Sequence, residues 1–306
     1  WANDPEQADL WRSQPVTGEV GILVVPETQL FTQGLMGSTD AYARSLEGAY
    51  QGFFDANIQA DWVLAADEDM ADYDLLYLPF PVMLNQATAD RLMAFVRAGG
   101  TLISEGCPGY FGDRGHVGEV QPNLGLDDLF GAREAYVEFT PDLLDDLRVN
   151  VDGVQTWGGA CRGGCAAASS TGVGWYTDGR IAAVDHVFGE GRTRLIGTMC
   201  GYGYDGHPED RDPAFYRSLL AWAGATQHVT SSDPRVKARL HDGVGGTYLW
   251  VVNSTREDLP VRLTLSEEWG PFAVTASHWG PDARIEGRLV TLTVPARDAA
   301  VLRLVP

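Results

Sequence analysis

The sequence predicts an α/β protein: a doubly wound, mostly parallel sheet followed by a small all-β sandwich. Residues 74–109 carry the first observation. An apolar run (Leu75, Leu76, Tyr77, Leu78) ends at Pro79; Leu92, Phe95 and Val96 then recur at helical spacing after Asn85 and Gln86; Gly99-Gly100 stops the helix, and a second apolar run begins at Thr101. Two buried strands joined by such a helix form a βαβ unit, which crosses over right-handed into a parallel sheet. The second observation is the same alternation upstream, between residues 20 and 64. Third, after Thr226 the pattern changes to short alternating runs with no helix signal between them.

Residues 1–19 are polar with Trp1 and Trp11, a lead-in segment. The first strand spans residues 20–25 and ends at Pro26-Glu27, and residues 33–38 read as a loop. An amphipathic helix over 40–56 carries Tyr42, Leu46, Ala49, Tyr50, Phe53 and Phe54 on one face. A short strand over 61–64 precedes the βαβ unit, giving the order β-α-β-β-α-β of an open sheet. Residues 110–123 are rich in Gly, Pro and polar side chains, a long loop of the kind that covers a site or a subunit contact. A helical turn at 126–130 and β-rich stretches at 135–139 and 147–151 follow. The small-residue segment 157–174 (Gly158 to Cys165 reads GGACRGGC) is expected to be a loop without imposed shape. Strands are predicted at 174–176, 181–187 and 193–198, with a turn at Asp178-Gly179. The next helix has Asp212 as cap, Pro213 at its first position, Phe215, Leu219, Leu220 and Trp222 on its buried face, and Gly224 at its end. Sandwich strands are predicted at 236–240, 248–253, 261–265, 274–277, 289–294 and 300–304. The resulting division is a lead-in (1–19), an α/β domain (20–226) and a β domain (227–306).

The 306 residues, 44% hydrophobic and 21% charged, are ordinary globular composition, with no apolar stretch approaching the length of a membrane span. A net charge of -20 argues against nucleic acid and anionic membranes, whose binding draws on Lys and Arg. Lys237 is the only lysine, which reads as genome composition or salt adaptation. Starting at Trp1 with no leader, the chain reads as a processed product, a domain or a fragment. Its compartment is left open.

Ligands of open sheets sit beyond the strand carboxyl ends, which directs attention to residues 105–109. Cys107 stands where a sharp turn would expose a nucleophile, and His207 and Glu209 could activate and orient it. Against such a triad, Pro108 has no N–H to offer an oxyanion. Glu105 with Asp113 or Glu119 could form a glycosidase pair, but carboxylates are plentiful in so acidic a chain. Trp157, Trp175, Trp250, Trp269 and Trp279 could stack on sugars; core positions are the expected reading. Cys161 and Cys165 could close a small disulfide loop or donate to a metal, a structural role being expected instead, and Asn253-Ser254-Thr255 is a glycosylation sequon expected to be only a strand end. No cofactor or metal is expected.

Residues 21–27 (GILVVPE), 50–54 (YQGFF), 74–79 (DLLYLP), 97–106 (RAGGTLISEG), 125–131 (GLDDLFG) and 195–198 (LIGT), followed by Gly203-Tyr204, His207-Pro208 and residues 219–224 (LLAWAG), carry a resemblance. Together they resemble the β-galactosidase trimerisation domain of family 42 glycoside hydrolases over about residues 20–225, and the sandwich resembles the small C-terminal domain of those enzymes. The resemblance implies a class I glutamine amidotransferase-like, flavodoxin-like fold without amidotransferase activity. It also implies a parent enzyme whose two catalytic glutamates lie in an N-terminal (β/α)8 barrel. No eightfold strand-helix series is present, so no catalytic residue carries over. The expected role is homotrimer formation by a non-catalytic region of a larger sugar hydrolase, which meets galactoside only through the parent's barrel. Segments 110–123 and 161–170 are the candidate subunit contacts. The alternative is a freestanding hydrolase with Cys107 as nucleophile and His207 as base.

Overall fold

Apolar β-branched runs and helical stripes alternate after Val20, and the structure, a computed structural model, turns them into one wide sheet. It describes residues 4, 7–65, 70–139, 146–272 and 274–305; Trp1 of the lead-in lies outside them. Helix α1 (Ala8–Arg12) and strand β1 (Gln14–Pro15) come first. The chain divides into two units, one of residues 20–53 and 60–225, the other of residues 1–19, 54–59 and 226–306.

The first unit is α/β. Its elements are β2 (Val20–Val24), α2 (Pro26–Met36), α3 (Asp40–Asp55), β3 (Ala60–Leu64), β4 (Leu75–Leu78), α4 (Gln86–Arg97), β5 (Thr101–Ser104), α5 (Leu126–Phe130), β6 (Ala132–Glu138), β7 (Arg148–Val151), β8 (Val154–Trp157), β9 (Arg162–Ala167), β10 (Thr171–Tyr176), β11 (Ile181–Phe188), β12 (Gly191–Ile196), α6 (Cys200–Gly206) and α7 (Ala214–Ala223). The main sheet has the order β3-β2-β4-β5-β12-β11-β10-β7-β8. Its first five strands pair parallel. The remaining pairings are antiparallel, so the sheet is mixed rather than mostly parallel. The reason lies in connection length. The links after β7, β10 and β11 turn at Asp152-Gly153, Asp178-Gly179 and Gly189-Glu190, far too short for the crossover a parallel pair requires. Leu23, Leu76, Leu78, Leu92, Val96, Leu102 and Leu195 form one buried cluster between sheet and helices. At the start of α4, Asn85 Oδ1 accepts the Thr88 N–H at 2.7 Å, satisfying one of the orphan donors of the first turn.

Two expectations are corrected here and one helix is added. Residues 33–36 are helical, in α2, and not loop: Pro26 opens that helix and Gly37, in the left-handed region at φ 72°, closes it. The segment expected to be shapeless contains β9, paired with β6. Its glycines leave room for neighbours, since a Cβ on Gly164 would lie 2.0 Å from the Tyr136 ring. Residues 200–206, given no element by their sequence, form α6.

Helices α3 and α6 touch backbone to backbone. A Cβ on Gly48 would fall 1.9 Å from the Gly201 carbonyl oxygen, and one on Gly201 2.1 Å from that of Ser45. Backbone cannot give way as a flexible side chain can. Gly48→Ala is therefore expected to lower unfolding stability by about 3 kcal/mol in urea titration. Gly34→Ala, in α2 with nothing within 4 Å of its added methyl, is expected to raise it by about 1 kcal/mol.

The second unit is a sandwich of β13 (Val229–Ser231), β14 (Val236–Gly243), β15 (Gly246–Asn253), β16 (Leu259–Leu265), β17 (Val274–Trp279), β18 (Arg284–Glu286), β19 (Leu289–Val294) and β20 (Asp298–Val305). One sheet has the order β1-β14-β15-β20-β17, the other β13-β16-β19-β18. Alternation puts Leu259, Val261, Leu263 and Leu265 of β16 inward against Val236, Leu240, Leu249 and Leu302. The lead-in is part of this unit: β1 pairs with β14, Leu10 packs on Tyr248 and Val301, and Asp9 Oδ2 accepts from the Tyr248 hydroxyl at 2.6 Å. Asn253 is buried, its amide donating to the carbonyls of Glu257, Val294 and Pro295, so the sequon is a strand end.

Candidate functional site

The carboxyl end of β5 is built around a buried acid. Glu105 has no exposed surface; its Oε1 accepts from the Tyr77 hydroxyl at 2.8 Å and the Gly201 N–H at 2.6 Å, and its Oε2 from the Phe80 N–H at 3.0 Å. One carboxylate thereby joins β4, the chain after it and the first turn of α6. Burial pushes the carboxyl up to about 7, against the pull of those donors. Sealed among protein donors, Glu105 does not form a solvent-facing pair with Asp113 or Glu119. Asp113 instead sits 3.4 Å from the Gln86 N–H.

Two residues on, Cys107 is held at φ 57°, in the left-handed region that a non-glycine residue seldom occupies. The chain behind it does not become a helix: Gly109 N–H donates to Pro81 O and Tyr110 N–H to Cys107 O. Cys107 lines a cavity of about 520 Å³ whose walls are almost wholly apolar, among them Phe31, Phe80, Phe111, Met199 and Tyr202. Tyr110 and Phe111 bring the start of the long loop 110–123 to this cavity. Cys161 Sγ lies 3.8 Å from Cys107 Sγ, and the Glu134 carboxyl, with one oxygen buried and without a hydrogen-bond partner, lies beside Cys107. The Cys161 contact, burial and Glu134 together push the Cys107 thiol well up, while burial raises the Glu134 carboxyl to about 6.

His207 does not line this cavity, and neither does Glu209. The His207 ring lies flat on Trp157, with centroids 3.6 Å apart, and its Nδ1 is 2.9 Å from Gly203 O. Glu209 lies in the one-turn helix Pro208–Asp210 that follows. The structure thus groups Cys107 with Cys161 and Glu134, and places His207 on Trp157. Neither Cys161 nor Glu134 could be assigned to this site from the sequence, because only the strand order brings them to the end of β5.

The remaining sequence candidates resolve individually. All four cysteines are free and buried. Among the described residues no three His, Cys, Asp or Glu side chains gather as a metal donor set. Nor is any described helix long and apolar enough to cross a membrane. Trp175 and Trp279 are exposed rather than core. In β10 the outward position falls to Trp175 because Gly174 and Tyr176, on either side, face inward. Trp279 Nε1 donates to Asp298 at 3.2 Å.

Residues 19–229 match the family model described as the beta-galactosidase trimerisation domain. The β-galactosidase GalA of Bacillus licheniformis is 24% identical over 238 residues, 76% of this chain and 34% of GalA. A catalytic mutant of Gan42B, a GH42 β-galactosidase from G. stearothermophilus, superposes with a TM-score of 0.75 at 18% identity, covering 95% of this chain and 41% of that one. The β-galactosidase of the haloarchaeon Halorubrum lacusprofundi superposes at 0.69 with 21% identity, over 97% of this chain and 41% of its own. The chain spans at most about a third of the length of the curated relatives it matches. Its architecture, a large mixed sheet with separate antiparallel sheets, is that of the matched region in these enzymes. With the family model covering most of its length, the chain belongs to the β-galactosidase trimerisation domain family.

Proposed function

We propose that this chain is the oligomerising, non-catalytic region of a larger family 42 β-galactosidase, and that three copies associate through the rim of the apolar cavity. The carrying observation is that rim. Leu35 and Met36 of α2 and Phe139 are 65, 60 and 60% exposed, and all three also line the cavity. Leu30, on the same helix, is exposed as well. In a chain of charge -20, large apolar side chains grouped at one opening mark a contact surface. The family's description supports a second copy of this chain as the occupant. The long loop 110–123 belongs to the same rim through Tyr110 and Phe111. The galactoside and the catalytic barrel belong to the parent enzyme in this reading.

The amidotransferase-like description of the α/β unit belongs to the same proposal. Its support is the parallel order β3-β2-β4-β5-β12, the 2-1-3-4-5 order of flavodoxin-like sheets, and the turned Cys107 after β5. Stacked on Trp157, His207 favours a fold that keeps this turn without a cysteine hydrolase's chemistry.

Light scattering on a sizing column across a tenfold dilution tests the assembly. A mass of three chains is expected throughout, and a monomer at every concentration would overturn the reading. The double variant Leu35→Glu, Met36→Glu places two carboxylates in the contact and is expected to run as monomer with its circular dichroism unchanged. A trimer in that variant would move the interface elsewhere.

A further inference from the structure

Two of the four buried cysteines meet at the cavity. Cys107 follows β5 and Cys161 precedes β9, 54 residues apart in sequence, and their sulfurs stand 3.8 Å apart. Both line the cavity, whose other lining residues include the exposed Leu35, Met36 and Phe139; Cys107 is 2% and Cys161 0% exposed, so a small molecule entering past these side chains reaches Cys107 first, with Cys161 directly behind it. Both segments are also held in place. Thr198 Oγ1 donates to Cys161 O at 2.8 Å, Cys161 N–H bonds to Gly159 O, and Gly109 N–H fastens the turn after Cys107 to Pro81 O. A disulfide bond is about 2 Å long, so closure brings the sulfurs about 2 Å nearer.

We infer that Cys107 and Cys161 form a dithiol modification site that reacts with small, uncharged disulfides and closes to an intramolecular disulfide at the base of the cavity. The apolar walls select the reagent, because charged disulfides would have to shed their water to enter. Reaction begins at Cys107, which keeps 2% of its surface exposed where Cys161 keeps none. Its thiolate attacks one sulfur of the reagent; a Cys107 mixed disulfide forms, the reagent's S–S bond breaks, and the departing thiolate takes the proton that Cys107 gave up. Cys161 thiolate then attacks Cys107 Sγ, the protein S–S bond forms, and the second thiol leaves with the Cys161 proton. Two protein thiols are oxidised by two electrons, and one reagent disulfide is reduced to two thiols. Cys165 and Cys200 are buried too but do not line the cavity, and they serve as internal controls.

The inference does not depend on the proposed trimer, and the test keeps the two apart. The whole chain and its Leu35→Glu, Met36→Glu variant are each treated with dipyridyl disulfide. Two thiopyridones are expected per chain, with a product lighter by two hydrogens, no pyridyl adduct retained, and the Cys107 and Cys161 peptides joined in the digest. Slower closure in the wild type than in the double variant still supports the site and shows that another copy covers the mouth. A stable pyridyl adduct on Cys107, a link to Cys165 or Cys200, or intact thiols in both proteins would overturn it. Because the new loop encloses 54 residues, the oxidised chain is expected to melt about 5 °C higher than the reduced one, a shift absent from Cys107→Ser and Cys161→Ser. Phenylarsine oxide gives a second reading without an oxidant. It bridges two thiols with loss of water, and it is expected to block the disulfide reaction in the wild type; failure to bind would count against the pair.

Discussion

Glu105→Ala is expected to cost about 4 kcal/mol of unfolding stability at pH 7, among the largest losses of any single substitution in the α/β unit. Tyr77, Phe80 and Gly201 donate to this carboxylate from β4, the chain after β4 and α6, and the side chain they serve has no exposed surface. Each buried donor left without a partner costs about 1–3 kcal/mol, partly offset because the acid itself no longer has to be buried. Urea unfolding followed by circular dichroism measures the loss; a change under about 1 kcal/mol would mean the donors find other partners. Glu105→Gln separates charge from contact. Its single oxygen can keep the Tyr77 and Gly201 bonds, but its amide then faces the Phe80 N–H, donor against donor.

The same residue sets a pH dependence with a definite sign. The Glu105 carboxyl is raised from 4.5 to about 7 on folding, so between those values the folded chain holds a proton that the unfolded chain has released. Stability from this group is complete below about pH 4.5 and is lost as the pH rises through 7. The raised carboxyl is equivalent to about 3 kcal/mol across that window. Glu134, raised to about 6, and Glu19, also raised, contribute in the same direction, so the wild-type profile alone does not isolate Glu105. The difference between wild type and Glu105→Gln does. It should shrink in the wild type's disfavour as the pH climbs from 5 to 8, whereas parallel profiles would show that Glu105 does not titrate there.

How far the sequence could be read depended on whether a segment's neighbours are near in the chain. Helix α4 was legible because its signals are local: the Asn85 cap, the buried stripe through Leu92 and Val96, and the stop at Gly99-Gly100. Helix α2 was missed altogether: Pro26-Glu27 reads as the end of the first strand and 33–38 as a loop, although Pro26 stands in that helix's first turn. Leu35 and Met36 face outward, so the apolar periodicity that marks burial is missing there, and Gly34 weakens the helical signal further. Strand β9 failed for a different reason. Its Gly163 and Gly164 carry no strand propensity of their own and are small because Tyr136 and the Gly197 backbone press on them, a fact of packing and not of pattern. The site followed the same rule. Cys107 was marked by its place after an apolar run, but its partners Cys161 and Glu134 arrive through the antiparallel half of the unit, which no local signal orders. Strand direction in that half was missed as well: the pattern reads as a mostly parallel sheet, although turns as short as Asp178-Gly179 exclude crossovers.

Arg194→Ala is expected to cost about 3–4 kcal/mol, a loss carried by charge rather than by shape. Arg194 points from β12 into a fully protein-lined position, 1% exposed, where its Nε meets Asp185 Oδ1 at 2.7 Å and one terminal nitrogen meets Asp185 Oδ2 at 2.8 Å and Asp152 Oδ2 at 2.6 Å. The guanidinium also lies 4.3 Å from the centre of the Trp222 ring, whose Nε1 donates to Asp185 Oδ2 at 2.8 Å. Desolvation works against the cation; the forked bond to Asp185 and the contact with Asp152 outweigh it and hold its proton more tightly than usual. Removing one member of such a set leaves the other charges with their desolvation and without their partner, the situation in which buried pairs cost about 3–5 kcal/mol. Asp152 is half exposed and can turn to water, which places the expected loss at the lower end. Lysine should not rescue it, since one ammonium cannot span both Asp185 oxygens and lie flat on Trp222. The decisive comparison is a double-mutant cycle in urea with Arg194→Ala and Asp185→Ala, where a coupling of about 2 kcal/mol or more is expected. Additive losses would mean that Arg194 is held by packing against Trp222, and that the ion pairs on this strand contribute no more than those on an open surface.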